Sequence, residues 1–255
     1  MLQKIIDIIS RAGLIVAEAE DFKVSQKSNF ADFVTDRDLA VQNFLIDEFK
    51  KLIPDAGFLG EEEGTVSLEH EYVFVIDPID GTANFVVGYR ESVISVALMR
   101  NGEVILGVVY NPYSKEMFCA EKGKGAYLNG KSIKVTEAPL KNSLISVGMS
   151  PYNREKSDLT FTLLRGIFDV CADIRRGGSA AFDACRVAAG RCALMFELGL
   201  HAWDFYAARL IVEEAGGVFA YVDGKEYSPT DICPVVMGTA EAVSEFLKIY
   251  SKATK

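Results

Sequence analysis

Tyr72-Val73-Phe74-Val75-Ile76-Asp77-Pro78-Ile79-Asp80-Gly81-Thr82 is the stretch that decides how this chain folds. Its first five residues are all apolar and too few for a helix, which predicts a buried strand over 72–76. Asp77 and Asp80 then stand where that strand ends, separated by a Pro-Ile pair that cannot turn into a helix at once. Gly81-Thr82 predicts a helix start, whose unpaired backbone N–H groups attract an anion. Acids suited to a cation beside amides suited to a phosphate point to metal-dependent phosphate chemistry. The competing reading is a proline turn with a capping Asp. The buried strand before it and the Gly-Thr after it weigh against that.

Upstream, Phe58-Leu59 runs into Gly60-Glu61-Glu62-Glu63-Gly64, again acids at the end of a short apolar run. A Glu run by itself reads as a solvated loop. The expectation here is that Glu61 turns inward to a shared cation while Glu62 and Glu63 stay in water. Asp32-Phe33-Val34-Thr35-Asp36 leads into a helix with Leu39, Phe44, Leu45, Phe49, Leu52 and Ile53 at helical spacing, stopped by Pro54. Met1–Phe22, interrupted by Lys4, Asp7, Arg11, Glu18 and Glu20, predicts an amphipathic helix with no signal-peptide character.

Downstream, residues 92–100, 103–110, 115–121 and 131–135 alternate as strands, punctuated by the turn signals Asn101-Gly102, Asn111-Pro112 and Asn129-Gly130. This half, 1–138, reads as α+β, two helices on a largely antiparallel sheet. Residues 139–255 read as α/β. Strands are expected at 144–149, 171–175, 193–197, 218–222 and 235–237, and helices at 154–169, 179–189, 202–215 and 240–250.

The bulk numbers set bounds. The 255 residues are 49% hydrophobic and 25% charged, an ordinary globular balance with length for a sizeable core. No apolar run approaches the ~18 residues of a membrane span, so cytoplasmic residence without membrane attachment is expected. The five cysteines are scattered and never form CxxC, which predicts free thiols. A net charge of −9 argues against direct nucleic-acid binding. The same charge would repel a phosphate substrate unless divalent cations reversed it locally.

In the second half, Trp203-Asp204 opens a helix and follows Glu197. Asp204 reads either as a plain N-terminal helix acid or as a ligand, Trp203 as a core anchor, and His201 as packing or a helix-end hydrogen bond. Gly177-Gly178-Ser179 opens another helix, either presenting amides to substrate oxygens or forming a tight turn capped by Ser179. If the acids converge, each pair ~4 Å apart repels by about 4 kcal/mol at an effective dielectric of 20. Clustering Glu61, Asp77, Asp80 and Asp204 therefore calls for cations, and an all-oxygen donor set favours Mg²⁺ or Mn²⁺ over zinc.

Lys27…Asp32-Phe33-Val34-Thr35…Asp38, Gly60-Glu61-Glu62, Asp77 to Thr82 with Asn84-Phe85, Gly178-Ser179-Ala180-Ala181, Glu197…Trp203-Asp204 and Glu214-Ala215-Gly216-Gly217 together resemble the inositol monophosphatase family, in order and over nearly the whole chain. The resemblance implies the layered α/β/α/β/α sandwich shared with fructose-1,6-bisphosphatase, a homodimer, and lithium-sensitive hydrolysis of a phosphate monoester with two or three Mg²⁺ per site. It implies metal ligands at Glu61, Asp77, the Ile79 carbonyl, Asp80 and Asp204. Glu61 and the Thr82 hydroxyl would orient the water, Asp38 would polarise Thr82, and Lys27 would help order the site. Gly81 and Thr82 would hold phosphate, while Gly178, Ser179, Ala180, Glu197 and Asp204 would meet the substrate. Inositol 1-phosphate is the expected substrate. Fructose 1,6-bisphosphate or another sugar phosphate is the enzymatic alternative, and a regulatory binding protein the alternative of another class. Ala83 replaces a frequent threonine, and Tyr206 and Ala208 stand where the family often has small residues and a Gly, which questions how that helix packs.

Overall fold

A computed structural model describes residues 1–19, 21–27, 30–62 and 67–255. Glu20 of the first segment and Glu63 and Gly64 of the glutamate run lie outside the described residues. The elements form five layers. Helices α1 (Leu2–Ala17) and α2 (Asp36–Leu52) cover one face of a seven-stranded sheet. Its strands are β3 (Gly57–Gly60), β4 (Tyr72–Asp80), β5 (Val93–Arg100), β6 (Glu103–Asn111), β7 (Glu116–Glu121), β8 (Ala126–Leu128) and β9 (Lys131–Ile133), neighbours in chain order. Only β3 and β4 run parallel; the remaining pairs are antiparallel.

The opposite face carries α5 (Ala180–Ala188) and α6 (Ala202–Glu214), which also lie on a second sheet. That sheet is ordered β11 (Asp173–Arg175), β10 (Leu144–Val147), β12 (Leu194–Leu200), β14 (Cys233–Gly238), β13 (Val218–Tyr221), with β10 parallel to both its neighbours. Helices α4 (Ser157–Phe168) and α7 (Ala240–Ala253) close the outer face. This is the α/β/α/β/α sandwich expected.

Residue chemistry explains the packing. Val73 and Val75 of β4 face α5 and α6, while Phe74 and Ile76 face α1 and α2, so the unbroken apolar run is buried on both sides. Phe74 stacks on Phe49 of α2 with centroids 4.2 Å apart. Asn101-Gly102 and Asn129-Gly130 have the positive φ angles of tight hairpin turns (51° and 83°, 49° and 75°). Gly107 of β6 admits α6: a Cβ there would stand 2.5 Å from the Ala207 carbonyl oxygen. Ala207 and Ala208 are buried and Tyr206 nearly so, which answers the packing question raised by that helix. All five cysteines are free thiols.

Several boundaries differ from expectation. Strand β4 does not stop at Ile76 but continues to Asp80, its register on β5 shifting between Asp77 and Asp80. That bulge takes up Pro78, which cannot donate to a ladder. Helix α1 ends at Ala17, five residues early, and Leu39 on α2 is exposed. The helix expected from 154 opens as a 3-10 turn, and β11 begins only at Asp173. Strand β8 and the short hairpin β1 (Val24–Gln26) with β2 (Phe33–Thr35) were not anticipated. Glu62 is 4% exposed rather than solvated, bonded to Lys27 and through its backbone N–H to Gln42.

Candidate active site

Thr35 starts the construction of the site. It caps α2: its hydroxyl oxygen accepts the Arg37 N–H at 3.2 Å, while the Asp38 carboxylate accepts the Thr35 backbone N–H at 2.8 Å and its hydroxyl at 2.5 Å. That reciprocal cap fixes the fully buried Asp38, whose other oxygen lies 3.2 Å from the Thr82 hydroxyl. Thr82 also lies 3.1 Å from the Ile79 carbonyl. Burial pushes the Asp38 carboxyl up to about 6 against the pull of the Thr35 bonds.

The end of β4 and its bulge present the acids. Asp77 accepts the Ile79 N–H at 3.0 Å, which bends the backbone around Pro78. Asp80 reaches toward α5 and accepts the Ser179 hydroxyl at 2.6 Å and the Ala181 and Ala180 N–H groups at 2.7 and 3.2 Å. Glu61, just past β3, meets Lys27 at 3.0 Å, and the same ammonium meets Glu62 at 2.7 Å. Asp204, in the first turn of α6, accepts the His201 N–H at 2.7 Å.

Glu61, Asp77, Asp80 and Asp204 share one cleft of about 810 Å³, lined also by Lys27, Ile79, Gly81, Thr82, Ser179, Ala180, Glu197 and Trp203. Their electrostatics record the convergence. Burial raises the carboxyls of Glu61, Asp77, Asp80 and Asp204 above the ordinary range, and the charges of neighbouring acids raise each of them further. The charge of Glu61 helps to raise Asp77, a repulsion that a proton or a cation relieves. For Lys27, burial lowers its affinity for a proton, but the charges and hydrogen bonds of Glu61 and Glu62 outweigh it, and the net shift is upward.

The donor set thus suits a hard cation: carboxylates and a carbonyl, with repulsion that only positive charge relieves. Among the described residues no three His, Cys, Asp or Glu side chains are already grouped so as to hold a metal ion. Asp80 is turned to α5 and Glu61 to Lys27.

The second half contributes in ways the sequence did not announce. Glu197, pushed up to about 7 by burial, accepts the Ser150 N–H at 2.7 Å and its hydroxyl at 3.2 Å, which folds the loop after β10 along the cleft. Ser150 and Arg176 line the cleft and were missed; the one signal was Gly148-Met149-Ser150-Pro151 after a strand. Ser179 does cap α5, accepting the Phe182 N–H at 3.4 Å. Gly178 lies beside Asn84, whose amide donates to the Gly177 carbonyl at 2.9 Å. His201 sits at the cleft rim, stacked on Trp203 at 4.4 Å.

A sequence model of the inositol monophosphatase family matches residues 1–251. The Nus factor SuhB of Escherichia coli (strain K12) is 35% identical over 97% of this chain and 94% of its own. An inositol-1-monophosphatase of Mesorhizobium japonicum is 35% identical over 92% and 88%. Among solved structures, the Thermotoga maritima IMPase superposes with a TM-score of 0.88 at 33% identity, over 98% of this chain and 96% of that one.

Proposed function

The chain belongs to the inositol monophosphatase family, and from that premise we propose that it is a Mg²⁺-dependent phosphate monoester hydrolase acting on an inositol monophosphate. The observation that carries this reading is one cleft holding Glu61, Asp77, Asp80 and Asp204 beside the Thr82–Asp38 hydrogen bond. Glu61, Asp77, the Ile79 carbonyl, Asp80 and Asp204 would hold the cations. Bound Mg²⁺ supplies Lewis acidity that makes water nucleophilic near neutral pH and stabilises the leaving oxygen.

The chain's own groups do the rest. With its proton directed to Asp38, the Thr82 oxygen keeps lone pairs to accept from the attacking water and so aims it. Glu61 takes part in the same orientation, and Lys27 balances its charge beside Glu62. The water oxygen bonds to phosphorus as the ester P–O bond breaks, giving inorganic phosphate and the free alcohol. Backbone N–H groups of Gly81 and Thr82 hold phosphate oxygens where charge gathers. Glu197 and Ser150, at the polyol end, accept from or donate to ring hydroxyls. The same reading includes a cytoplasmic homodimer, lithium inhibition and Mn²⁺ as a substitute metal. No helix among the described residues is long and apolar enough to cross a membrane.

A second reading has a specific support: several relatives at 35–37% identity are named Nus factors. In that case the fold would serve a regulatory partner. The intact acid set favours turnover, and a net charge of −9 disfavours direct RNA contact. Phosphate release with Mg²⁺ from inositol 1-phosphate, fructose 1,6-bisphosphate and adenosine 3′,5′-bisphosphate separates the readings. Inositol 1-phosphate is expected to be fastest; silence with all three overturns the enzyme and leaves the regulatory role.

A further inference from the structure

Asp80 belongs to the first half, yet it accepts three hydrogen bonds from the second: from the Ser179 hydroxyl and the backbone N–H groups of Ala180 and Ala181. Ser179 and Ala181 both fall on Oδ2, at 2.6 and 2.7 Å, and so take up both lone pairs of that oxygen. Oδ1 accepts only the longer Ala180 bond at 3.2 Å and keeps one lone-pair direction.

The surrounding residues enforce this approach. Gly81 has φ 89°, and a Cβ there would stand 3.1 Å from the Gly178 carbonyl oxygen and 3.2 Å from Ser179 Cβ. Any side chain at 81 would push the start of α5 away from Asp80. Asn84 ties the two loops together, donating to the Gly177 carbonyl at 2.9 Å and the Glu91 carbonyl at 3.1 Å. The Asp-Gly-Thr-x-Asn motif therefore builds a dock for the Gly-Ser-Ala-Ala segment as well as presenting acids.

We propose that Ser179 is a positioning residue that acts through Asp80, fixing its carboxyl group so that it offers a cation one oxygen, Oδ1, and that it is not a substrate contact. The inference rests on the cation reading above. It assigns α5 a role in the metal half of the site, where the sequence pointed to the polyol half.

The test is calorimetric titration of the full chain with Mg²⁺ alone, together with kcat and KM for inositol 1-phosphate. Ser179→Gly keeps an acceptable helix cap but removes the donor; Ser179→Ala is the second variant, and thermal melting verifies that each is folded. Loss of one charge-assisted hydrogen bond predicts Mg²⁺ binding about tenfold weaker. KM at saturating Mg²⁺ stays within about twofold of wild type, since no substrate contact is lost. Ser179→Thr, which restores the hydroxyl, recovers the affinity. Unchanged Mg²⁺ affinity with a raised KM overturns the proposal in favour of a direct substrate contact, and unchanged values throughout overturn it outright. Wild-type protein that binds no Mg²⁺ would instead remove the cation reading on which it stands.

Discussion

Thr82 and Asp38 lie 44 positions apart and meet through a buried hydrogen bond of 3.2 Å, Oγ1 to Oδ1. One is the first residue of α3 (Thr82–Val86) after the acid-bearing strand, the other the third of a capped helix. Thr82→Val keeps the shape and removes the hydroxyl. On the account above it lowers kcat by roughly 10²–10³-fold, the order of a lost proton-handling group. Thr82→Ser restores most of it. Steady-state kinetics with a melting curve for each variant reads both effects; a Val variant with wild-type turnover excludes Thr82 from aiming the water.

The raised carboxyls make stability depend on pH in a definite direction. Burial lifts Asp38 and Asp80 to about 6 and Glu197 to about 7, above the roughly 4 of an unfolded carboxylate. Between those values the folded chain holds more protons than the unfolded one, so metal-free stability falls as pH rises. The melting temperature without divalent cations should drop from pH 5 to pH 8. At pH 8, Mg²⁺ at a hundred times its dissociation constant should return about 2.7 kcal/mol, roughly 5–10 °C. A melting temperature that rises with pH and ignores Mg²⁺ contradicts the acid cluster.

Gly107 and Ala207 bring the central helix layer onto the seven-stranded sheet. Gly107→Ala places a methyl 2.5 Å from a backbone oxygen that cannot rotate away. Overpacking of this kind costs about 1–3 kcal/mol. Urea denaturation should show that loss, while Gly123→Ala, where a Cβ meets open space, changes stability through its positive φ alone.

Particular residues show where the sequence was legible. The run from Tyr72 to Ile76 announces a strand because five apolar side chains can only be buried on two faces, and the Asn-Gly pairs announce hairpins through their φ preference. The extension of β4 to Asp80 was hidden because two acids and a proline are poor strand formers. Their cost is met by a bulge whose partner, β5, must be known first. Glu62 read as solvated because its cation, Lys27, is 35 residues away. Ser179 read as a cap or a substrate contact because its bond to Asp80 spans 99 residues. Local pattern predicts elements well; pairings across two sheets are set by packing that no local window contains. The acids themselves were legible through the family resemblance, and the alternative reading of Asp204 as a plain helix acid was locally sound.

On the proposed reading, Asp204 is the residue on which a site built from both halves depends. Asp204→Asn keeps an acceptor for the His201 N–H and removes one negative charge from the cleft. The direct measurement is phosphate release from inositol 1-phosphate by this variant as Mg²⁺ is raised to saturation. A site closed from both halves predicts half-maximal activation at higher Mg²⁺ and a kcat at least about 10²-fold below wild type even at saturation. Wild-type turnover at saturating Mg²⁺ would contradict it.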